Sequence, residues 1–381
     1  MKKYLTIVSC AAALLAAGCA KNQVIEESIP QHPVAFGVYA GQAATKAVSS
    51  TTYGQINTNA LLQGSAGFGV FGFYSDNSEF TTSPSSNFYP NFMYNQLVHY
   101  EAGKWTYSPL KYWPNEYSTE TAISDHVDKL TFFAYAPYVA TASVGTEGIT
   151  GFSANNVTGD PTVSFKVPEA DDKQIDLLYS DAATTNLTKK AISGTVNFTF
   201  KHALSNLSIY PVTVVDAISI PSSMGLGLST GTTITVNEIT IEGAFNQSGT
   251  LNLRTGEWSG LASSSPSVNY HPATPLDVTT INDKADADAG NPCAEFMLIP
   301  TTAQTYTITI DYDLTYSAAA SGLAADLVVN SVIHKDISLT FQQGKKMKLY
   351  IGLGITSVTF AAEVSDWTSD SDQTIWLPDN L

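Results

Sequence analysis

Apolar and polar residues alternate with a period of two along much of this chain, and no stretch of helical period is long enough to compete. Tyr306, Ile308, Ile310, Tyr312, Leu314 and Tyr316 alternate without a slip. So do Met347, Leu349, Ile351 and Leu353, and then Val358, Phe360, Ala362 and Val364. Successive side chains of an extended strand point to opposite faces, so each run reads as a strand with one buried face. Val196, Phe198, Phe200 and His202 share a face in the same way. Ile234 and Val236 are followed by Ile239 and Ile241, a change of parity that predicts a bulge near Asn237-Glu238. Turn signals separate such runs at intervals of roughly 8–15 residues, the pattern of β-sandwiches.

The chain is therefore expected to be all-β. Its 381 residues are more than one sandwich needs, so two domains are expected in tandem. The least patterned internal stretch, residues 181–193, sets the expected boundary, giving domains at 34–187 and 188–381. Gly67–Tyr74 places Phe68, Val70 and Gly72 on one face and Phe71 and Phe73 on the other.

The first residues are an address. Lys2 and Lys3 precede an apolar run from Tyr4 to Ala17, too short for a bilayer, which needs about 20 residues, but suited to a signal peptide over residues 1–18. The run ends in Leu15-Ala16-Ala17-Gly18-Cys19, which resembles a bacterial lipobox, with Ala16 where leucine is usual. Cys19 is the expected lipidation site, and residues 19–33 are a polar tether. Cys10 would leave with the leader, and Cys293, then alone, cannot form an internal disulfide or a cysteine-based zinc site.

Charge excludes one class of partner. Eighteen basic residues, of which Arg254 is the single arginine, stand against 34 acidic ones for a net charge of −16. Such a surface does not suit nucleic acid, whose phosphates need basic patches. No Gly-x-Ser-x-Gly elbow, His-Glu-x-x-His or phosphate-binding glycine loop occurs, and the six histidines never pair at metal-ligand spacing. The expectation is a non-enzyme with no cofactor and no metal. His202 is read as a core or boundary histidine, and Asp125-His126 is a loop pair. Asp283, Asp286 and Asp288 faintly suggest a calcium loop, but the twelfth position counted from Asp286 is Met297, so solvated loop is the better reading. Asp366, Asp370 and Asp372 are read likewise.

Trp105, Tyr107, Tyr112 and Trp113 could stack on a sugar, which would make the chain a glycan-binding surface lipoprotein. Core packing is the favoured alternative, because aromatic rings are the main volume-fillers of a sandwich.

The ordered succession of motifs resembles the fimbrillin (type V pilin) lipoproteins of Bacteroides-type bacteria, in the minor-fimbrillin-like branch. It consists of the lipobox at Cys19, a strand with Val34 and Phe36, Ala44-Thr45-Lys46-Ala47, GVFGFY at 69–74, FMYNQLVHYEAGKWTYSPLKYWP at 92–114, KLTFFAYAP at 129–137, DLLYSDA at 176–182, VNFTFKHALSNLSI at 196–209, GTLNLRTGEW at 249–258, FMLIP at 296–300 and VSDWT at 364–368. The resemblance implies two transthyretin-like (Greek-key) β-sandwich domains, export as a lipoprotein and display on the outer membrane. It also implies assembly into a pilus, as stalk or tip/accessory subunit, once a trypsin-like surface protease removes the N-terminal strand. The matching cleavage point is Lys46–Ala47, with lysine where the family often carries arginine.

These residues suit that scheme. Lys46 is the one basic residue between Lys21 and Lys104, and its neighbours are small. A cut there would free a short strand whose Val34, Phe36 and Val38 point one way, each contributing roughly 1.5–3 kcal/mol of burial. The groove left behind would accept a strand from another subunit. Ile375, Trp376 and Leu377 at the C-terminus are the expected donor. The expected partners are thus other pilus subunits, the protease, the lipid anchor and a host or bacterial surface receptor.

Overall fold

The computed structural model describes residues 32–39, 56, 59–75, 78–80, 88–114, 128–168, 173–188, 192, 194–213, 232–263, 267–290, 292–318, 324–354, 358–367 and 372–375. The expected leader at residues 1–18, and Cys19, Lys46, Ala47, Asp125, His126, Trp376 and Leu377, lie outside the described residues. The fold is all-β, as the alternation requires. Among the described residues no helix is long and apolar enough to cross a membrane.

Four sheets pack as two pairs. The first is seven-stranded, in the order β1 (Ala35–Tyr39), β9 (Thr195–His202), β8 (Leu178–Ser180), β5 (Leu130–Ala136), β2 (Phe68–Tyr74), β3 (Met93–Glu101) and β4 (Lys104–Thr106). Facing it is a four-stranded sheet in the order β13 (Trp258–Ala262), β12 (Ser248–Asn252), β7 (Thr162–Lys166) and β6 (Gly148–Phe152). Phe71, Phe73, Phe133 and Tyr135 from the first sheet meet Ile149, Val163, Phe165 and Leu251 from the second in one apolar cluster. The opposite parity of the same strands, Phe68, Val70, Leu130, Phe132 and Ala134, fills a second cluster on the other face. Both faces of β2 and β5 are thus buried.

The second pair comprises β16 (Ala294–Leu298), β10 (Ser205–Thr213), β19 (Lys345–Leu353), β20 (Val358–Asp366) and β21 (Asp372–Ile375) against β14 (Ser267–Tyr270), β11 (Thr232–Glu242), β17 (Gln304–Tyr316) and β18 (Leu327–Leu339), with β15 (Leu276–Asp277) also paired to β11. Tyr306, Ile308, Ile310, Tyr312 and Leu314 of β17 interdigitate with Met347, Leu349, Ile351 and Leu353 of β19 in the largest cluster. The register of β11 against β17 shifts between Val236 and Glu238, where the parity change places it.

Strand pairing crosses the boundary expected at 187/188. β8 before it and β9 after it are antiparallel neighbours, with Leu178 opposite His202. β7 likewise pairs with β12, some 85 residues on, with Val163 opposite Leu251. The unpatterned stretch between β8 and β9 is itself bonded into the sheet, since Leu187 and Leu130 exchange both backbone hydrogen bonds at 2.7 and 2.9 Å. A short stretch tied down by backbone pairing needs no apolar period, so its composition looks like a linker.

The acidic run at 283–288 is not a loop. Asp283 accepts from the Asp286 amide at 2.8 Å and caps a short helix, α1 (Lys284–Ala289). Asp288 is bonded by Lys284 at 2.6 Å, Lys348 at 2.9 Å and the Tyr350 hydroxyl at 2.7 Å. Burial pushes its pKa up, but these donors outweigh burial and hold it below the ordinary carboxylate value. Ala287 packs with Tyr210 and Tyr350 beneath the helix.

Candidate functional site

β1 terminates the seven-stranded sheet and runs parallel to β9, with Phe36 opposite Val196 and Val38 opposite Phe198. The sheet curls so that β1 comes against β4, the strand at its other end. Alternation then dictates which residues of β1 enter the curl. Val34 and Phe36 are buried, Val38 is half-buried, and Ala35 and Tyr39 face out.

Phe36 sits among four aromatic rings. Its centroid lies 5.4 Å from Tyr107, 5.6 Å from Phe132, 5.6 Å from Phe198 and 6.4 Å from Phe68. The Phe198 ring is nearly parallel to it at 16°, whereas Phe68 and Phe132 meet it edge-on. Both arrangements suit the ring quadrupole.

The segment 107–113 clasps the start of β1 from the side opposite β9. Val34 N–H donates to the Lys111 carbonyl at 2.8 Å, and Trp113 N–H donates to the His32 carbonyl at 3.1 Å. The Tyr107 hydroxyl donates to the Val34 carbonyl at 2.8 Å and accepts from the Lys111 amide at 3.3 Å. Burial raises the Tyr107 pKa, which keeps that hydroxyl a donor. Trp113 Nε1–H donates to the Gly194 carbonyl at 3.0 Å, and the same carbonyl accepts from Ala35 N–H at 3.3 Å.

This clasp decides the aromatic segment. Tyr107 and Trp113 are only 5% and 4% exposed, so neither offers a face to a sugar. Trp105 is half-buried and packs on Phe68 at 4.9 Å, and Tyr112 alone of the four is largely open, at 40%. Core packing, not a stacking platform, accounts for the pair at 107 and 113.

The chain returns to the same core after Tyr39. Ile56 is buried in the cluster that holds Phe36, and its N–H donates to Asp176 Oδ2 at 2.7 Å. The Lys46–Ala47 bond thus lies in sequence between two segments anchored on one core, although it is itself outside the described residues. Of the expected donor, Ile375 falls in β21, at the edge of the β16–β21 sheet and opposite Ala362 of β20.

The clasp and the Asp176 contact carry no local signal in the sequence. Nothing local in residues 105–113 shows that these rings receive a strand more than 60 residues earlier in the chain.

An all-β chain whose strand β1 closes a curled sheet belongs to the class of β-sandwich proteins. A family model described as fimbrillin-like matches residues 45–367, and the chain belongs to that family. It is 27% identical to "Fimbrium subunit Fim1C" of Phocaeicola vulgatus over 96% of either chain. A fimbrial protein from Bacteroides vulgatus has a similar solved fold, with a TM-score of 0.64 at 22% identity, covering 89% of this chain and all of that one.

Proposed function

We propose that this chain is a structural subunit of a type V pilus, stalk or tip/accessory, that supports adhesion. In this scheme it is exported as a lipoprotein through Cys19, held at the outer membrane, and polymerised after a trypsin-like protease cuts at Lys46–Ala47. The resemblance to two transthyretin-like sandwiches is supported by the two packed pairs of sheets.

The observation that carries the proposal is Phe36 inside its box of four rings. A loose leader would cover nothing; β1 covers a core. Val34 and Phe36 together contribute about 3–6 kcal/mol of burial, against a net domain stability of about 5–15 kcal/mol. Once cut from the rest, β1 is held only by its side chains and its backbone bonds. Its departure opens a groove floored by Phe68, Phe132 and Phe198 beside the freed edge of β9. Another subunit's strand can restore both the burial and the backbone pairing. A head-to-tail contact of this kind does not close on itself and yields a filament. Ile375, Trp376 and Leu377 are the proposed donor.

The test is digestion of the purified chain with a trypsin-like protease, sequencing of the new N-terminus and electrophoresis without boiling. A new terminus at Ala47 with a ladder of resistant multimers is the expected result. The Lys46→Ala chain should give neither, and deletion of 373–381 should leave a cleavable monomer that does not extend. A chain cut at Ala47 that stays monomeric overturns the proposal.

A further inference from the structure

β18 is an unusual edge. It pairs with β17 over its full length, from Leu327 opposite Tyr316 to Leu339 opposite Gln304, with no register shift. Among the described residues it ends its sheet, and β17 is the one strand paired with it. Leu327, Val328, Val329 and Val332 are 41–55% exposed. Edge strands are normally blunted by proline, bulges, charged side chains or short length; this one is long, unbulged and free of proline, and its charges, Lys335 and Asp336, sit in its second half. Lys335 is exposed, with its Nζ over the Phe360 ring of its own molecule, 5.6 Å from the centroid.

We propose that β18 docks edge to edge with β18 of a second copy of this chain, antiparallel and centred on Ile333. The strand is self-complementary about that residue. Folding the pattern on Ile333 sets Leu327 opposite Leu339, Val328 opposite Ser338, Val329 opposite Ile337, Asn330 opposite Asp336, Ser331 opposite Lys335 and Val332 opposite His334. No like charges meet, and the core-facing row stays in register. Shifting the centre to Val332 would put Val329 against Lys335 and Val328 against Asp336.

Burial gives the pairing its direction. Ile337 and Leu339 are buried in their own sandwich, while Leu327 and Val329, on the same face of the strand, are uncovered. In the paired register the uncovered pair of one copy lies beside the buried pair of the other, at the ~4.5–5.5 Å spacing of directly opposed residues. Each copy thereby extends the other's core, and the four-stranded sheets join into one across a twofold axis. This contact is independent of strand exchange at β1.

The test is sedimentation velocity on the full chain carrying Cys19→Ser and Lys46→Ala, so that neither lipid nor strand exchange contributes. A monomer–dimer equilibrium between about 1 and 100 μM is expected. Adding Val329→Lys and Val332→Lys, both at exposed positions, should weaken dimerisation at least about tenfold with an unchanged circular dichroism spectrum. Ile333→Cys should oxidise to a covalent dimer, whereas Leu327→Cys should not cross-link to itself. A monomer throughout, or a dimer indifferent to the two lysines, overturns the proposal; a dimer that the lysines weaken but Ile333→Cys does not cross-link overturns the register.

Discussion

His202 lies flat against Trp367, with ring centroids 4.0 Å apart and planes 3° from parallel. Its Nδ1 meets Asp176 Oδ1 at 2.9 Å, and the other oxygen of Asp176 takes the Ile56 amide. Four distant parts of the chain meet here: the residues just after the proposed cleavage loop, the segment before β8, the end of β9 and the end of β20. Trp367→Ala should cost about 3–5 kcal/mol, as large aromatic truncations in a core do. Urea titration of the purified variant measures it. A loss below ~1 kcal/mol would mean that the stack carries no weight.

Asp176→Ala should leave two buried donors without an acceptor, His202 Nδ1 and Ile56 N–H, at about 1–3 kcal/mol each. The Ile56 amide should also exchange with deuterium much faster. Protection unchanged at Ile56 would count against the contact.

Phe36→Ala should destabilise the uncut chain by about 3–5 kcal/mol and let multimers form without protease. Ala35→Ser, on the outward face of the same strand, should do neither. Differential scanning calorimetry and unboiled gels of both variants separate the plug from the mere presence of a strand.

Tyr107→Phe removes the bond to the Val34 carbonyl but keeps the ring beside Phe36. A net loss of about 0.5–1.5 kcal/mol is expected, with faster release of the N-terminal fragment after cleavage. Release is read by the appearance of the free fragment in size-exclusion chromatography.

Alkali should unfold this protein. Burial raises the pKa of Tyr107, Tyr135, Tyr210, Tyr306, Tyr312 and Tyr350, and pushes the Cys293 thiol up to about 12 from 9.0. The unfolded chain therefore releases these protons first. Their contribution is fully present below pH ~9 and is lost as pH rises, by up to 1.36 kcal/mol per pH unit for each group ionised only in the unfolded state. Asp288 works in the other direction: its lowered pKa stabilises the fold above pH ~4 and that contribution fades on acidification. Denaturant midpoints measured between pH 3 and 11.5 test both limbs.

Legibility from sequence followed locality. β17 could be read residue by residue, because six alternating side chains face one core. The bulge in β11 was visible for the same reason, and so was the inward set of β1. β18 was not, since the first half of it is exposed on both faces and shows no alternation. Partners were also illegible. That β1 lies beside β9, and that Tyr107 reaches Val34, depends on residues 73 to 160 positions apart in sequence, and pairing at such distance is set by packing. Tyr107 and Trp113 were conspicuous as aromatic rings, but a ring's composition does not tell a core from a platform.

The interleaving of strands also governs when folding can finish. β2 and β5 emerge early, yet the sheet they belong to is completed by β9, and the sheet facing it by β12 and β13. Until residue 262 has arrived, the first sandwich has no closed form. The first half of the chain, made alone, therefore lacks the strands that would close it.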